Sequence, residues 1–162
     1  SRLQAGALSI NLADVNLEAL AHRIADRFQT QTTQHTLRVD FPPGFPIVLG
    51  DEERLGQVFA NLVSNAIKYA SGGEILISGQ VRPEQVIVCV SDEGKGIAAS
   101  DVPHVFDRFY RSTDFSRTTK GAGLGLYLAR AVVEAHGGKI WVDPTRDRGA
   151  RICFSLPRDA ST

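Results

Sequence analysis

The chain has 162 residues, 43 % hydrophobic and 22 % charged, the make-up of one globular domain long enough to bury a core. Lys plus Arg balances Asp plus Glu at 18 each, which excludes binding to nucleic acid or membrane by bulk charge, so any phosphate site has to be built locally. No apolar run reaches bilayer-spanning length and no signal peptide is visible; the start at Ser1 without any Met predicts a piece of a longer protein.

Residues 1–12 read as the end of an upstream element leading into a linker. Asn16 is placed to cap a helix over 17–31, with Leu17, Leu20, Ala21, Ile24 and Phe28 on one side. Residues 36–41 alternate as a strand, the Pro-Pro-Gly turn at 42–44 follows, and 46–50 form a second short strand. Asp51 then caps a helix whose body is 55–70, LGQVFANLVSNAIKYA. At about 100° per residue, Leu55, Val58, Phe59, Leu62, Val63, Ala66, Ile67 and Ala70 share its core side. Asn61, Asn65 and Lys68 lie together at the edge of that stripe, with Tyr69 beside them. Carboxamide oxygens suit Mg²⁺, the Lys ammonium suits phosphate, and the Tyr ring can flank a nucleobase. An ordinary helix with a polar boundary is the competing reading.

Ser71-Gly72-Gly73 ends this helix. Residues 74–81 and 85–92 form a β-hairpin, the second strand central and buried. Cys89 lies in it and Cys153 in the last strand; two apolar settings predict buried free thiols rather than a disulfide, and neither has the neighbours of a zinc site. The buried strand runs into DEGKGI (92–97). Asp92 there can accept from an exocyclic amine, Gly94 and Gly96 let the backbone approach a flat ring, and Ile97 can pack on it. A plain strand-ending turn has the same residues.

The 24 residues 97–120 are rich in polar and turn-forming residues with one apolar anchor, VFDRFY, as in a lid; Phe106 and Phe109 can pin it, and Arg108 and Arg111 can reach phosphate oxygens. A solvated surface loop is the alternative. GAGLGL (121–126) opens a helix ending at His136, with Leu124, Leu128, Val132 and Ala135 on one face. Its amides around Gly121, Gly123, Leu124, Gly125 and Leu126 suit a phosphate, although the spacing is neither that of a dinucleotide fingerprint nor of a Walker loop. A flexible hinge competes. Strands at 139–144 and 149–157 finish the domain. Helices and antiparallel hairpins interleave without a strict βαβ rhythm, which predicts an α+β fold: a two-layer sandwich, its mixed and mostly antiparallel sheet covered on one face by about three helices.

NLVSNAIKY (61–69), DEGKGI (92–97), VFDRFYR (105–111) and GAGLGL (121–126) together resemble, in order and spacing, the N, G1, F and G2 boxes of the sensor histidine kinase ATP-binding domain, from about residue 17 to 157. The resemblance implies a Bergerat fold holding Mg-ATP beneath a lid. It assigns Mg²⁺ to Asn65 with help from Asn61, phosphate contacts to Lys68 and Arg108, the adenine flank to Tyr69, the adenine amino group to Asp92, and the phosphate tail to amides around Gly123, Leu124 and Gly125. Glu93 and Lys95 depart from the usual Asn and small residue or Pro of the G1 box. None of His22, His35, His104 or His136 has the acidic and Pro context of the family's phosphoacceptor, so the target histidine is expected outside this chain.

The expected organisation is an upstream junction at 1–12, a catalytic domain at 13–158 and a tail at 159–162. The expected partners are ATP, the protein's own dimerisation domain and a response regulator, and no nucleic acid. The fragment is expected to be a monomer in the cytoplasm and the whole protein a homodimer, membrane-anchored or not. Water-splitting relatives carry Glu four residues before the Mg²⁺ Asn; that position is Asn61, and an amide takes no proton at neutral pH. A nucleotide-binding regulatory module and an anti-sigma-type serine kinase are the two alternatives.

Overall fold

A computed structural model describes residues 2–5, 8–108, 110, 125–144 and 148–158. Its elements are β1 (Arg2–Ala5), β2 (Leu8–Asn11), β3 (Ala13–Val15), α1 (Leu17–Gln29), β4 (His35–Asp40), β5 (Val48–Gly50), α2 (Glu52–Tyr69), β6 (Gly73–Val81), β7 (Gln85–Ser91), a 3₁₀ turn (Val102–His104), α3 (Gly125–Ala135), β8 (Ile140–Val142) and β9 (Arg151–Pro157). Five strands form one sheet in the order β4-β6-β7-β9-β8. The β4–β6 pair is parallel, because α2 lies between those strands in the chain, and the other three pairs are antiparallel.

The helices form the second layer. Alternation along β7 and β9 sends Val86, Val88, Val90, Ile152, Phe154 and Leu156 into one core with Leu55, Val58, Phe59, Leu62 and Val63 of α2. Phe59 meets Phe154 edge to face, ring centroids 5.6 Å apart, the preferred geometry for two ring quadrupoles. The α+β sandwich expected from the pattern is therefore the fold observed.

Both expected caps are present. The Asn16 side chain accepts from Ala19 N, and that of Asp51 from Arg54 N. Asp51 does more: its Oδ2 accepts from Asn11 N at 2.9 Å, and its own N–H donates to His136 Nε2 at 3.0 Å. His136 Nδ1 lies 2.8 Å from Val132 O. The start of α2, the end of α3 and β2 are thus tied at one point.

Three expectations need correction. Residues 2–5 and 8–11 pair as an antiparallel hairpin where the end of an upstream element leading into a linker was expected, and Ile10 is fully buried. The expected face of α3 holds at Val132 and Ala135, which are buried, but not at Leu128, which is 48 % exposed; Ala129 and Val133 are buried instead, because the inward positions run 129, 132, 133, 135 and 136; Leu124 lies outside the described residues. Cys89 and Cys153 form a disulfide. They stand directly opposite each other in the β7–β9 register, on the sheet face turned away from the helices, and a 64-residue separation hides that from the sequence.

Candidate nucleotide site

The site is built on the last turns of α2. Asn61 and Asn65 are one turn apart, both half-buried, and Lys68 on the same edge is exposed. Asn61 Nδ2 donates to Gly125 O at 3.1 Å, which joins the N-box helix to the first described residue of the G2 box. A Cβ on Gly125 would stand 3.8 Å from Asn61 Cγ, so the first turn of α3 lies in contact with the carboxamide edge of α2. Leu126 packs on the core beside it.

DEGKGI meets the C-terminal end of α2. A Cβ on Gly94 would come within 2.9 Å of Tyr69 O and 3.0 Å of Ala70 Cα, closer than real Cβ atoms come, so only glycine fits without a backbone shift. Gly96 has φ 83°, left-handed backbone that glycine adopts freely, and sits against Gly149 O. Asp92 is 6 % exposed. Its Oδ1 accepts from Gly94 N at 2.9 Å and from Ala150 N at 3.2 Å, and its own N–H donates to Ala150 O at 2.9 Å. The carboxylate is thereby fixed at the end of the buried strand. Ile97 is half-buried against the core.

The F box lies near α3. Phe106 packs on the core as the expected anchor. The Arg108 guanidinium carbon stands 5.9 Å from the centroid of the Tyr127 ring, a cation–π distance, so Arg108 is held at the start of α3. Tyr110 donates from its hydroxyl to Asp101 Oδ1; this bond, with burial and the nearby Asp101 and Asp107 charges behind it, raises the phenol above its ordinary value. Phe109, Arg111, the tract 112–120, Gly121, Gly123 and Leu124 lie outside the described residues.

The structure therefore brings together Asn61, Asn65, Lys68, Tyr69, Asp92, Gly94, Gly96, Ile97, Gly125 and Leu126 around one end of α2, with Arg108 beside α3. Three residues that sequence reasoning missed also shape the site. Gly149 and Ala150 carry the backbone that braces Asp92, and Gly149 has φ 73° and no room for a side chain beside Asp92 O. Tyr127 holds Arg108. Gly149 and Ala150 read only as the first residues of the last strand.

Among the described residues no cluster of three or more His, Cys, Asp or Glu could hold a metal ion. The donors present are the carboxamides of Asn61 and Asn65, hard and neutral, which suit a cation that arrives with its phosphates rather than one caged by protein.

Comparison with known proteins agrees with this geometry. Residues 50–160 match the family described as histidine kinase-, DNA gyrase B-, and HSP90-like ATPase. The sensor histidine kinase WalK of Bacillus subtilis is 43 % identical over 143 residues, covering 83 % of this chain and 23 % of WalK. The chain thus spans well under half of the curated relatives it matches. Among solved structures, the catalytic domain of histidine kinase ThkA superposes with a TM-score of 0.79 at 28 % identity, covering 92 % of this chain and 99 % of that domain. Full-length ShkA in complex with AMPPNP gives 0.82 at 29 % identity, covering 94 % of this chain and 32 % of ShkA. The chain belongs to the histidine kinase-, DNA gyrase B-, and HSP90-like ATPase family.

Proposed function

We propose that residues 13–158 are the ATP-binding catalytic domain of a two-component sensor histidine kinase. It binds Mg-ATP and transfers the γ-phosphoryl group to a histidine on a separate dimerisation domain of the same protein, from which a response regulator is then phosphorylated. The observation that carries this reading is the meeting of the asparagine edge of α2 with both glycine boxes, through Asn61 to Gly125 O and Tyr69 O to Gly94. The ShkA complex with AMPPNP and the histidine-kinase relatives support it.

In this reading Asp92 accepts the adenine amino group and Tyr69 flanks the ring. Lys68, Arg108 and Arg111 neutralise phosphate oxygens, and the backbone amides of 121–126 cradle the tail at the N-terminus of α3. Asn65 and Asn61 hold the Mg²⁺ that comes with the nucleotide; when bound, that ion offsets charge developing on the transferred phosphoryl group. The protein otherwise contributes positioning. Asn61 occupies the place of a general base, its amide cannot take a proton, and its Nδ2 is engaged with Gly125 O. Water is therefore activated poorly, and the γ-phosphoryl group is kept for the acceptor imidazole, which is its own nucleophile. No described helix is long and apolar enough to cross a membrane, and we place this domain in the cytoplasm, where ATP is supplied. The whole protein is a homodimer in this reading, through the dimerisation domain.

The test mixes this chain with its dimerisation domain and γ-labelled ATP. Label on histidine, stable to alkali and labile to acid, is the expected result. Label on a partner's serine, or on no protein, contradicts the assignment.

A further inference from the structure

Ser91 pairs with Leu76 at the last rung of the β6–β7 ladder. Beyond it β7 turns away, and the Glu74 N–H loses its backbone partner on that side. The Glu93 carboxylate takes it: Glu74 N donates to Glu93 Oε1 at 2.8 Å. A side chain thus continues the ladder after the backbone has left, with a charged acceptor, which makes the stronger kind of hydrogen bond. The same carboxylate fills the space that a side chain on Gly73 would need, and Gly73 has φ 95°. Glu74's own carboxylate is turned to Arg38 Nε at 3.2 Å, so the two acidic groups are not left facing each other.

The neighbours of Glu93 give this bond its consequence. Asp92 is held by Ala150, and Gly94 rests on Tyr69 O. Three consecutive residues therefore grip three different elements: the approach to β9, the start of β6, and the last turn of α2. We propose that Glu93 is a positioning residue for the nucleotide site: its carboxylate clamps the glycine loop 92–97 to the start of β6 at Gly73 and Glu74 and so sets the spacing between Asp92 and Tyr69. This rests on Asp92 and Tyr69 being the adenine contacts. Glu93 itself touches no reacting atom.

The test is calorimetric titration of ADP into this chain as wild type, Glu93→Ala, Glu93→Gln and Asp92→Ala, with melting curves for each. Glu93→Ala is expected to weaken ADP about fivefold, the size of one lost hydrogen bond, at a temperature where all variants are folded. Glu93→Gln, whose amide oxygen can still accept from Glu74 N, is expected within about twofold of wild type. A purely structural role would lower the melting temperature and leave the affinity alone. Wild-type affinity in Glu93→Ala, or a loss in Glu93→Gln as large as in Glu93→Ala, overturns the clamp. If Asp92→Ala binds ADP like wild type, the adenine reading fails instead; if Asp92→Ala loses binding and Glu93→Ala does not, only the clamp fails.

Discussion

Gly94 lies against the carbonyl of Tyr69 so closely that a Cβ would stand 2.9 Å from its oxygen. This contact joins the loop carrying Asp92 to the helix carrying Asn61, Asn65 and Lys68, and it has no slack.

Gly94→Ala should therefore push the loop off α2 and cost about 1–3 kcal/mol, as overpacking does, with loss of nucleotide affinity. Gly56 is the control. It lies in the same helix, where a Cβ would meet Leu20 Cδ1 at an ordinary 3.7 Å. Gly56→Ala should stabilise the fold by roughly 1 kcal/mol through helix propensity and leave ADP binding unchanged. Thermal melts and calorimetry on both variants check the pair.

Asp51 supplies the pH prediction. Burial pushes its carboxyl up, but the N–H bonds from Asn11 and Arg54, together with neighbouring His136 and Arg54, outweigh that and hold it below its ordinary 3.8. A carboxyl lowered on folding adds stability that is complete above the unfolded value and is lost as pH falls through the folded one. Asp51→Asn should flatten the acid limb of melting temperature against pH below about pH 4. Asp51→Ala should cost about 2 kcal/mol at neutral pH, from the lost cap and an unpaired Asn11 N–H. An unchanged acid limb in Asp51→Asn would contradict the assignment.

The disulfide gives a third prediction. Closing a loop of 64 residues restricts the unfolded chain by about 4 kcal/mol in the chain-entropy model. A dithiol reductant should lower the melting temperature of the wild type and leave a Cys89→Ser, Cys153→Ser double variant unaffected. Thiol titration of the unreduced, denatured chain should find no free thiol; two free thiols would contradict the bond.

Much of this architecture was legible because local chemistry and the global fold agree. Asn16 and Asp51 stand where a cap must, and the stripe from Leu55 to Ala66 follows the helical period without a break. The four boxes resemble those of the sensor histidine kinase family in order and spacing, so Asn61 and Gly125 could be placed at one site although 64 positions separate them. Contacts set by strand register were not legible. Cys89 faces Cys153, and Ala150 faces Asp92, only because β7 and β9 align as they do; each partner alone looks like an apolar or turn residue. The exposure of Leu128 in α3 was missed for a related reason. Leu128 looks more apolar than Ala129, but Ala129 is small enough to let α3 approach α2, and Leu128 is left outside. Glu93 read as a departure from a pattern, and its bond to Glu74 N depends on where β7 leaves the sheet.

The central claim is that Asn65 meets the nucleotide through a magnesium ion. Its most direct test is calorimetric binding of a non-hydrolysable ATP analogue to wild type and Asn65→Ala, each with magnesium and with a chelator. Wild-type affinity should fall when magnesium is removed, and Asn65→Ala should bind weakly and equally under both conditions. Full magnesium-dependent affinity in Asn65→Ala would contradict the account.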